Sequence, residues 1–136
     1  MSNQQVSLNL FLTFNGNAEE ALRFYETILP NAKIESLTLF EKDAPNGDEG
    51  KVLNGLLSFG GQRIMFMDMM SEYPVPAFTY STSLMVNCIS EAEFDAIFEA
   101  LAKEGAVMMG PESVEGLRKV AWVTDKFGVT WQPVWA

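Results

Sequence analysis

Gln132 is the side chain on which the chemistry of this sequence turns. It lies four residues beyond Gly128 in Asp125-Lys126-Phe127-Gly128-Val129-Thr130-Trp131-Gln132. Glycine accepts the positive φ of a tight hairpin without steric penalty, so Gly128 punctuates two strand-like runs, Leu117 to Thr124 and Val129 to Trp135. The turn aims the side chains that follow it, and at 132 a neutral amide stands where a carboxylate could hold a metal. The chain contains no histidine. Ser-His and Cys-His nucleophile pairs, an imidazole general base and an imidazole metal ligand are therefore all excluded. Catalysis would have to rest on carboxylates, tyrosines, lysines, Cys88 or a bound cofactor.

The other reactive side chains have structural readings. Cys88 is the single cysteine; it can form no internal disulfide, has no histidine to activate it, and reads as a buried structural thiol rather than a reactive one. Glu19, Glu20, Glu91 and Glu93 fall in first helical turns, where they complement the macrodipole, and are not read as paired catalytic acids. Arg63 and Arg118 could anchor an anion, but lone arginines are mostly solvated or paired at the surface. Trp122, Trp131 and Trp135, like Phe24 and Tyr25, read first as core.

The elements that must position Gln132 follow from periodicity. Leu8, Leu10, Leu12 and Phe14 alternate as a strand, and after Asn15-Gly16 the period becomes helical, with Ala18, Ala21, Leu22, Tyr25, Ile28 and Leu29 on one face until Pro30. Asn17 with Glu20 reads as a capping box. Lys33 to Phe40 is a second strand, Glu41 to Gly50 a mobile loop, and Lys51–Phe59, Gly60-Gly61 and Gln62–Met69 a hairpin. Ser71 to Thr79, with Pro74 and Pro76, is an extended connector. The order then repeats: strand Ser81 to Cys88, capping box Ser90/Glu93, and a helix through Phe94, Ile97, Phe98 and Leu101 to Gly105. A short strand Ala106–Met109, a loop Gly110–Gly116 and the hairpin about Gly128 follow. This predicts an α+β fold of two βαβββ modules packed as one domain of 1–136, module 1 at about 6–70, a connector at 71–79 and module 2 at about 80–136, with a pocket where the modules meet.

Composition narrows the partners. Apolar residues are 48% and charged residues 20%, as in ordinary globular chains. A net charge of −9 repels phosphate backbones, so no nucleic-acid partner is expected. No apolar run reaches the roughly 18 residues of a membrane span, and Met1-Ser2-Asn3-Gln4-Gln5 lacks the regions of a signal peptide, so a cytoplasmic protein with no membrane partner is expected.

Three segments together resemble a known family: Gly16-Asn17-Ala18-Glu19-Glu20-Ala21 with Phe24-Tyr25, Pro30-Asn31-Ala32-Lys33-Ile34, and Asp125 through Gln132. The chain is similar, from Leu8 to Trp135, to the PhnB-like proteins, also described as demethylubiquinone methyltransferase-like. These lie within the glyoxalase, bleomycin resistance and dioxygenase superfamily, the vicinal oxygen chelate fold. The resemblance implies paired βαβββ modules and a homodimer, sometimes with modules exchanged between chains. It also implies that metal-dependent relatives take four ligands, usually His, Glu or Gln, from the first and last strand of each module. Those positions are placed here at Asn9, Met65, Ser81 and Gln132, with Asp68 the nearest acidic substitute for Met65. Such a neutral set cannot offset the dehydration of a divalent ion, so neither metal nor other cofactor is expected. Neither Asn15-Gly16-Asn17 nor Gly60-Gly61 has the glycine pattern of a nucleotide-binding turn, so methyl transfer is not expected.

The candidate ligand-binding residues are Asn9, Phe11, Met65, Met67, Asp68, Ser81, Ser83, Met85, Thr130 and Gln132. Met65, Met67 and Met69 share a strand face that Met85 could join; it reads as an adaptable apolar cavity or, preferred, as gap filling in a curved sheet or dimer contact. The preferred function is a metal-free binding module for a small, partly apolar molecule. An enzyme of the superfamily with a site around Asp68, Ser81 and Gln132 is the alternative, and a structural dimer without a ligand is the third.

Overall fold

The structure, a computed structural model, describes residues 5–136. Met1 to Gln4, part of the segment read above for a leader, lie outside the described residues. The described residues form two α-helices and eight strands, in the order β1 (Leu10–Phe14), α1 (Ala18–Ile28), β2 (Lys33–Leu39), β3 (Val52–Phe59), β4 (Gln62–Asp68), β5 (Ser83–Cys88), α2 (Glu91–Ala102), β6 (Ala106–Val114), β7 (Leu117–Thr124) and β8 (Thr130–Trp135), with one 3-10 turn at Pro45–Gly47. The chain divides after Val75 into two compact units. Each is a βαβββ module with a four-stranded sheet, β1-β4-β3-β2 in the first and β5-β8-β7-β6 in the second. In both, the first and last strands pair in parallel and the others antiparallel. The fold is α+β, as the element order predicts.

In the first module the apolar stripe of α1 covers one sheet face. Leu12 and Phe14 of β1, Leu22 and Tyr25 of α1, and Ile64 and Phe66 of β4 are buried together. The Phe14 and Phe66 rings stack at 5.7 Å, and Tyr25 meets Phe66 at 5.9 Å in a tilted arrangement. Gly55 allows the close approach, because a Cβ there would stand 3.0 Å from Leu22 Cδ2. In the second module Val86, Cys88, Phe94, Ile97, Leu101, Val123 and Trp131 form the equivalent core. Lys119 of β7 holds α2 from below, reaching Glu91 at 3.0 Å and Asp95 at 2.8 Å.

The second capping box forms as the sequence predicts: Glu93 N donates to Ser90 Oγ at 3.1 Å, and Glu93 Oε1 accepts from Ile89 N at 3.1 Å. The first does not. Asn17 makes no side-chain cap. The amides of Gly16 and Ala18 donate instead to Oδ1 of Asp68, at 2.8 and 3.0 Å, while Val52 N donates to Oδ2 at 2.9 Å. A full carboxylate is a stronger acceptor than a neighbouring amide, and β4 brings it to the helix start.

Other boundaries also shift. β1 starts at Leu10, leaving Leu8 89% exposed, and β5 starts at Ser83, leaving Ser81 in a turn. β6 is longer than predicted, running through Gly110-Pro111, whose peptide is cis, to a turn at Glu115-Gly116 with φ of 48° and 86°. Proline is tolerated there because β6 is an edge strand whose register shifts repeatedly against β7. The loop after β2, read as mobile, is pinned by buried Asp48, which accepts from Lys51 Nζ at 3.0 Å and from Ser71 N at 3.2 Å.

Two outcomes test these anchors. Asp68→Ala, which strands buried amides, is expected to destabilise the fold by about 3 kcal/mol in urea titration; a loss under about 1 kcal/mol would contradict the anchor. At Asp48 the hydrogen bond from the Lys51 ammonium, outweighing desolvation, holds the carboxyl below its ordinary range. Its contribution is thus fully present above the unfolded-state value of about 4 and is lost as pH falls through the depressed folded value. Lys51→Met is expected to flatten that acid limb in thermal melts between about pH 5 and 2.

Candidate functional site

Each sheet has a helix on one face only, and strand alternation sends every second side chain to the other. In the first module that helix-free face carries Phe11, Met65 and Leu56 opposite one another on β1, β4 and β3, with Met67 beside Thr13 in the next row. Phe11 is 51% exposed, and Met65 and Met67 are half-buried. This is an apolar surface.

The second module's face is different. Ser83, Thr130 and Thr124 form one row across β5, β8 and β7, and Met85 and Gln132 begin the next. The constant register from Val120↔Val134 to Val123↔Trp131 sets Trp122 opposite Gln132 and completes that row. Gln132 Nε2 donates to Ser83 Oγ at 2.6 Å, and the Thr124 and Thr130 hydroxyls share a hydrogen bond of 3.0 Å. Gln132 Oε1 has no hydrogen-bond partner among the described residues. Met85, 61% exposed, flanks the pair, with half-buried Trp122 on the other side.

The aim of Gln132 has a local cause. Buried Asp125 accepts from Phe127 N at 2.8 Å and Val129 N at 3.1 Å through Oδ1, and from Trp131 Nε1 at 2.9 Å through Oδ2. Gly128 closes the same turn at φ 90°. With Trp131 fixed in the core, the pleat puts Gln132 on the opposite face.

The structure thus groups Ser83, Met85, Thr130 and Gln132 in the second module, and Phe11, Met65 and Met67 in the first. Two candidates are corrected, and a third, Asn9, stands apart from both groups. Asp68 is 1% exposed and both its oxygens are engaged by backbone amides, so it braces α1 and β3 and presents nothing to a ligand. Ser81 lies before β5 with its hydroxyl 2.6 Å from that of Thr79. Asn9 precedes β1 and is exposed. Trp122 and Thr124 also belong to this face: size alone points Trp122 to the core, and the sequence signal for Thr124 is its pairing with Thr130 across the Gly128 turn.

Phe11↔Met65 and Met85↔Gln132 occupy the same place in their modules, so the position matching Asn9 is Ser83, not Ser81. An amide, a thioether, a hydroxyl and a second amide carry no charge, and Gln132 and Ser83 are already bonded to each other. This donor set does not fit a divalent cation. Among the described residues no three Cys, Asp or Glu side chains gather as metal ligands. Burial pushes the Cys88 thiol up from its ordinary pKa, with Glu93 adding to the rise, which leaves it protonated and inert. A shallow hollow at the Gly60-Gly61 turn, lined in part by Asn31, Ser58 and Arg63, includes none of the candidates.

These modules define a protein of the glyoxalase/bleomycin-resistance-like fold. A domain from Frankia sp. described as glyoxylase/bleomycin resistance protein/dioxygenase shares it at a TM-score of 0.66 and 17% identity, over 99% of this chain and 93% of that one. Residues 6–134 match the 3-demethylubiquinone-9 3-methyltransferase family, and the chain belongs to that PhnB-like family. A PhnB protein from Bacillus cereus is 34% identical with a TM-score of 0.84, over 96% of this chain and 100% of that one. A protein from Pseudomonas aeruginosa is 28% identical with a TM-score of 0.86, over 96% and 98%. No curated protein matches.

Because Gln132 is half-buried and its bond goes to a neutral hydroxyl, Gln132→Ala is expected to cost no more than about 1 kcal/mol in urea titration. A loss of about 3 kcal/mol or more would make Gln132 a structural residue and remove it from the site.

Proposed function

We propose that this PhnB-like protein binds a small, partly apolar molecule against the helix-free sheet face of its second module and does not turn it over. The observation that carries this is the Gln132–Ser83 pair, whose free amide oxygen lies between exposed Met85 and half-buried Trp122. A few polar groups set among apolar and aromatic ones are the usual composition of a small-molecule site. Methionine adapts its thioether to irregular shapes, and indole offers a broad face for stacking.

Methyl transfer, named in the family's description, is not extended to this chain. Its first strand-turn-helix, Asn15-Gly16-Asn17, lacks a glycine-rich pattern, and the amides of Gly16 and Ala18 are held by Asp68. The start of α2 is closed by its own capping box. A metal-dependent lyase or oxygenase is disfavoured by the neutral donors. A cytoplasmic homodimer completes the proposal; among the described residues no helix is long and apolar enough to cross a membrane.

A thermal-shift screen of neutral, partly apolar metabolites tests the site. A ligand present at 100 times its Kd is expected to add about 2.7 kcal/mol of stability, and Gln132→Ala to abolish the gain. If no compound raises Tm, the binding reading fails. Stoichiometric zinc, nickel, manganese or iron in protein purified without chelator, lost on Gln132→Ala, would overturn the metal-free part. Sedimentation at micromolar concentration is expected to give a dimer, and a monomer would contradict it.

A further inference from the structure

Of the rows on this face, the one that holds Gln132 and the one on its Thr130 side contain no ionisable group. The row on its Val134 side runs through Val120 to exposed Glu112 at the β6 edge, two strands from β8. Ser83, Thr130 and Thr124 make one of the uncharged rows, Met85, Gln132 and Trp122 the other. The charged side chains of β7 and the following turn are engaged elsewhere. Lys119 is tied to Glu91 and Asp95 of α2, the Arg118 guanidinium lies 4.5 Å over the Trp135 ring, the Lys126 ammonium lies 5.4 Å from the centre of the Phe127 ring, and Asp125 is consumed by its own turn. The Thr124 and Thr130 hydroxyls share one hydrogen bond and Ser83 Oγ accepts from Gln132 Nε2, which leaves the amide oxygen of Gln132 as an acceptor beside hydroxyls that are neutral donors.

We infer that this site selects an uncharged ligand, one that presents a neutral N–H or O–H to Gln132 beside an apolar or aromatic body. The inference rests on the binding site proposed above and deepens it. A carboxylate or phosphate placed here would face the lone pairs of Oε1 and find only neutral hydroxyl donors such as that of Ser83, with no cation in these rows to replace the water it gave up, in a chain of net charge −9. An ammonium at Gln132 would meet neutral oxygens, with the carboxylate of Glu112 set two strands away at the solvent-exposed edge, so it too would lose more hydration than it regains. A neutral amide or alcohol can donate to Oε1 at little desolvation cost while its ring packs on Met85 and Trp122. Met65 holds the matching place in the first module and offers no such acceptor, which assigns the polar selection to Gln132.

Three probes of one shape test this: naphthalene-2-carboxamide, naphthalene-2-carboxylate and 2-naphthylmethylammonium. Each is titrated at pH 7 against full-length protein labelled with nitrogen-15, following the Gln132 side-chain amide and the Trp122 indole N–H. The carboxamide is expected to shift both signals with a Kd lower than either ion's by about tenfold or more. Gln132→Leu, which keeps the shape, is expected to remove the preference, and Gln132→Glu to turn it toward the ammonium. Binding of either ion at equal or tighter Kd overturns the inference and leaves the binding site standing. If no probe moves either signal, the site itself fails and the inference with it. Preference for the carboxamide that survives in Gln132→Leu would also overturn the assignment to Gln132.

Discussion

One carboxylate holds the first module in its shape. Asp68, the last residue of β4, collects the amides of Gly16 and Ala18 at the start of α1 and of Val52 at the start of β3. Two of these are helix-entry donors with no intrahelical acceptor, and all three would be costly to bury unpaired. A negative charge at a helix start also meets the positive end of the macrodipole. The β1–α1 turn, the helix and two strands therefore share one fixed point, and the helix-free face of that sheet inherits its geometry from it.

The second module reaches the same architecture by other means. The residue matching Asp68 is Trp135, paired with Cys88 as Asp68 pairs with Phe14. α2 is capped locally by Ser90, and the buried carboxylate moves to Asp125 in the β7–β8 turn. The move has a functional consequence. By binding Trp131 Nε1, Asp125 fixes which face of β8 is core and thereby delivers Gln132 to the other face. Scaffold and site are coupled through one strand, and the two modules present unlike surfaces, thioether at Met65 and amide at Gln132.

Legibility in the sequence followed the range of the interactions. The Ser90/Glu93 box, the Gly60-Gly61 hairpin and the Gly128 turn are encoded within a few residues and were readable. The place of Met65 was not secure from the sequence, because Met65, Met67 and Asp68 crowd one short strand, and it is the pairing of Phe11 with Met65 that puts it level with Gln132 in its module. Ser81 was misplaced by two residues, since Tyr80-Ser81-Thr82-Ser83 keeps strand parity and offers nothing to mark where pairing with Thr130 begins. β6 was cut short because Gly110-Pro111 reads as a break unless the strand is known to lie at an edge.

The sequence by itself determined the paired βαβββ order, the absence of imidazole chemistry, and the neutral amide at 132, since periodicity, composition and turn residues are local properties of the chain. Only the tertiary structure decided what the polar side chains do. Asp68 meets Gly16 across 52 residues of sequence and becomes a brace, while Gln132 meets Ser83 across 49 and becomes the centre of a polar row. A carboxylate looks the same in a sequence whether amides or solvent surround it. Packing supplies the partners, and the partners decide the role.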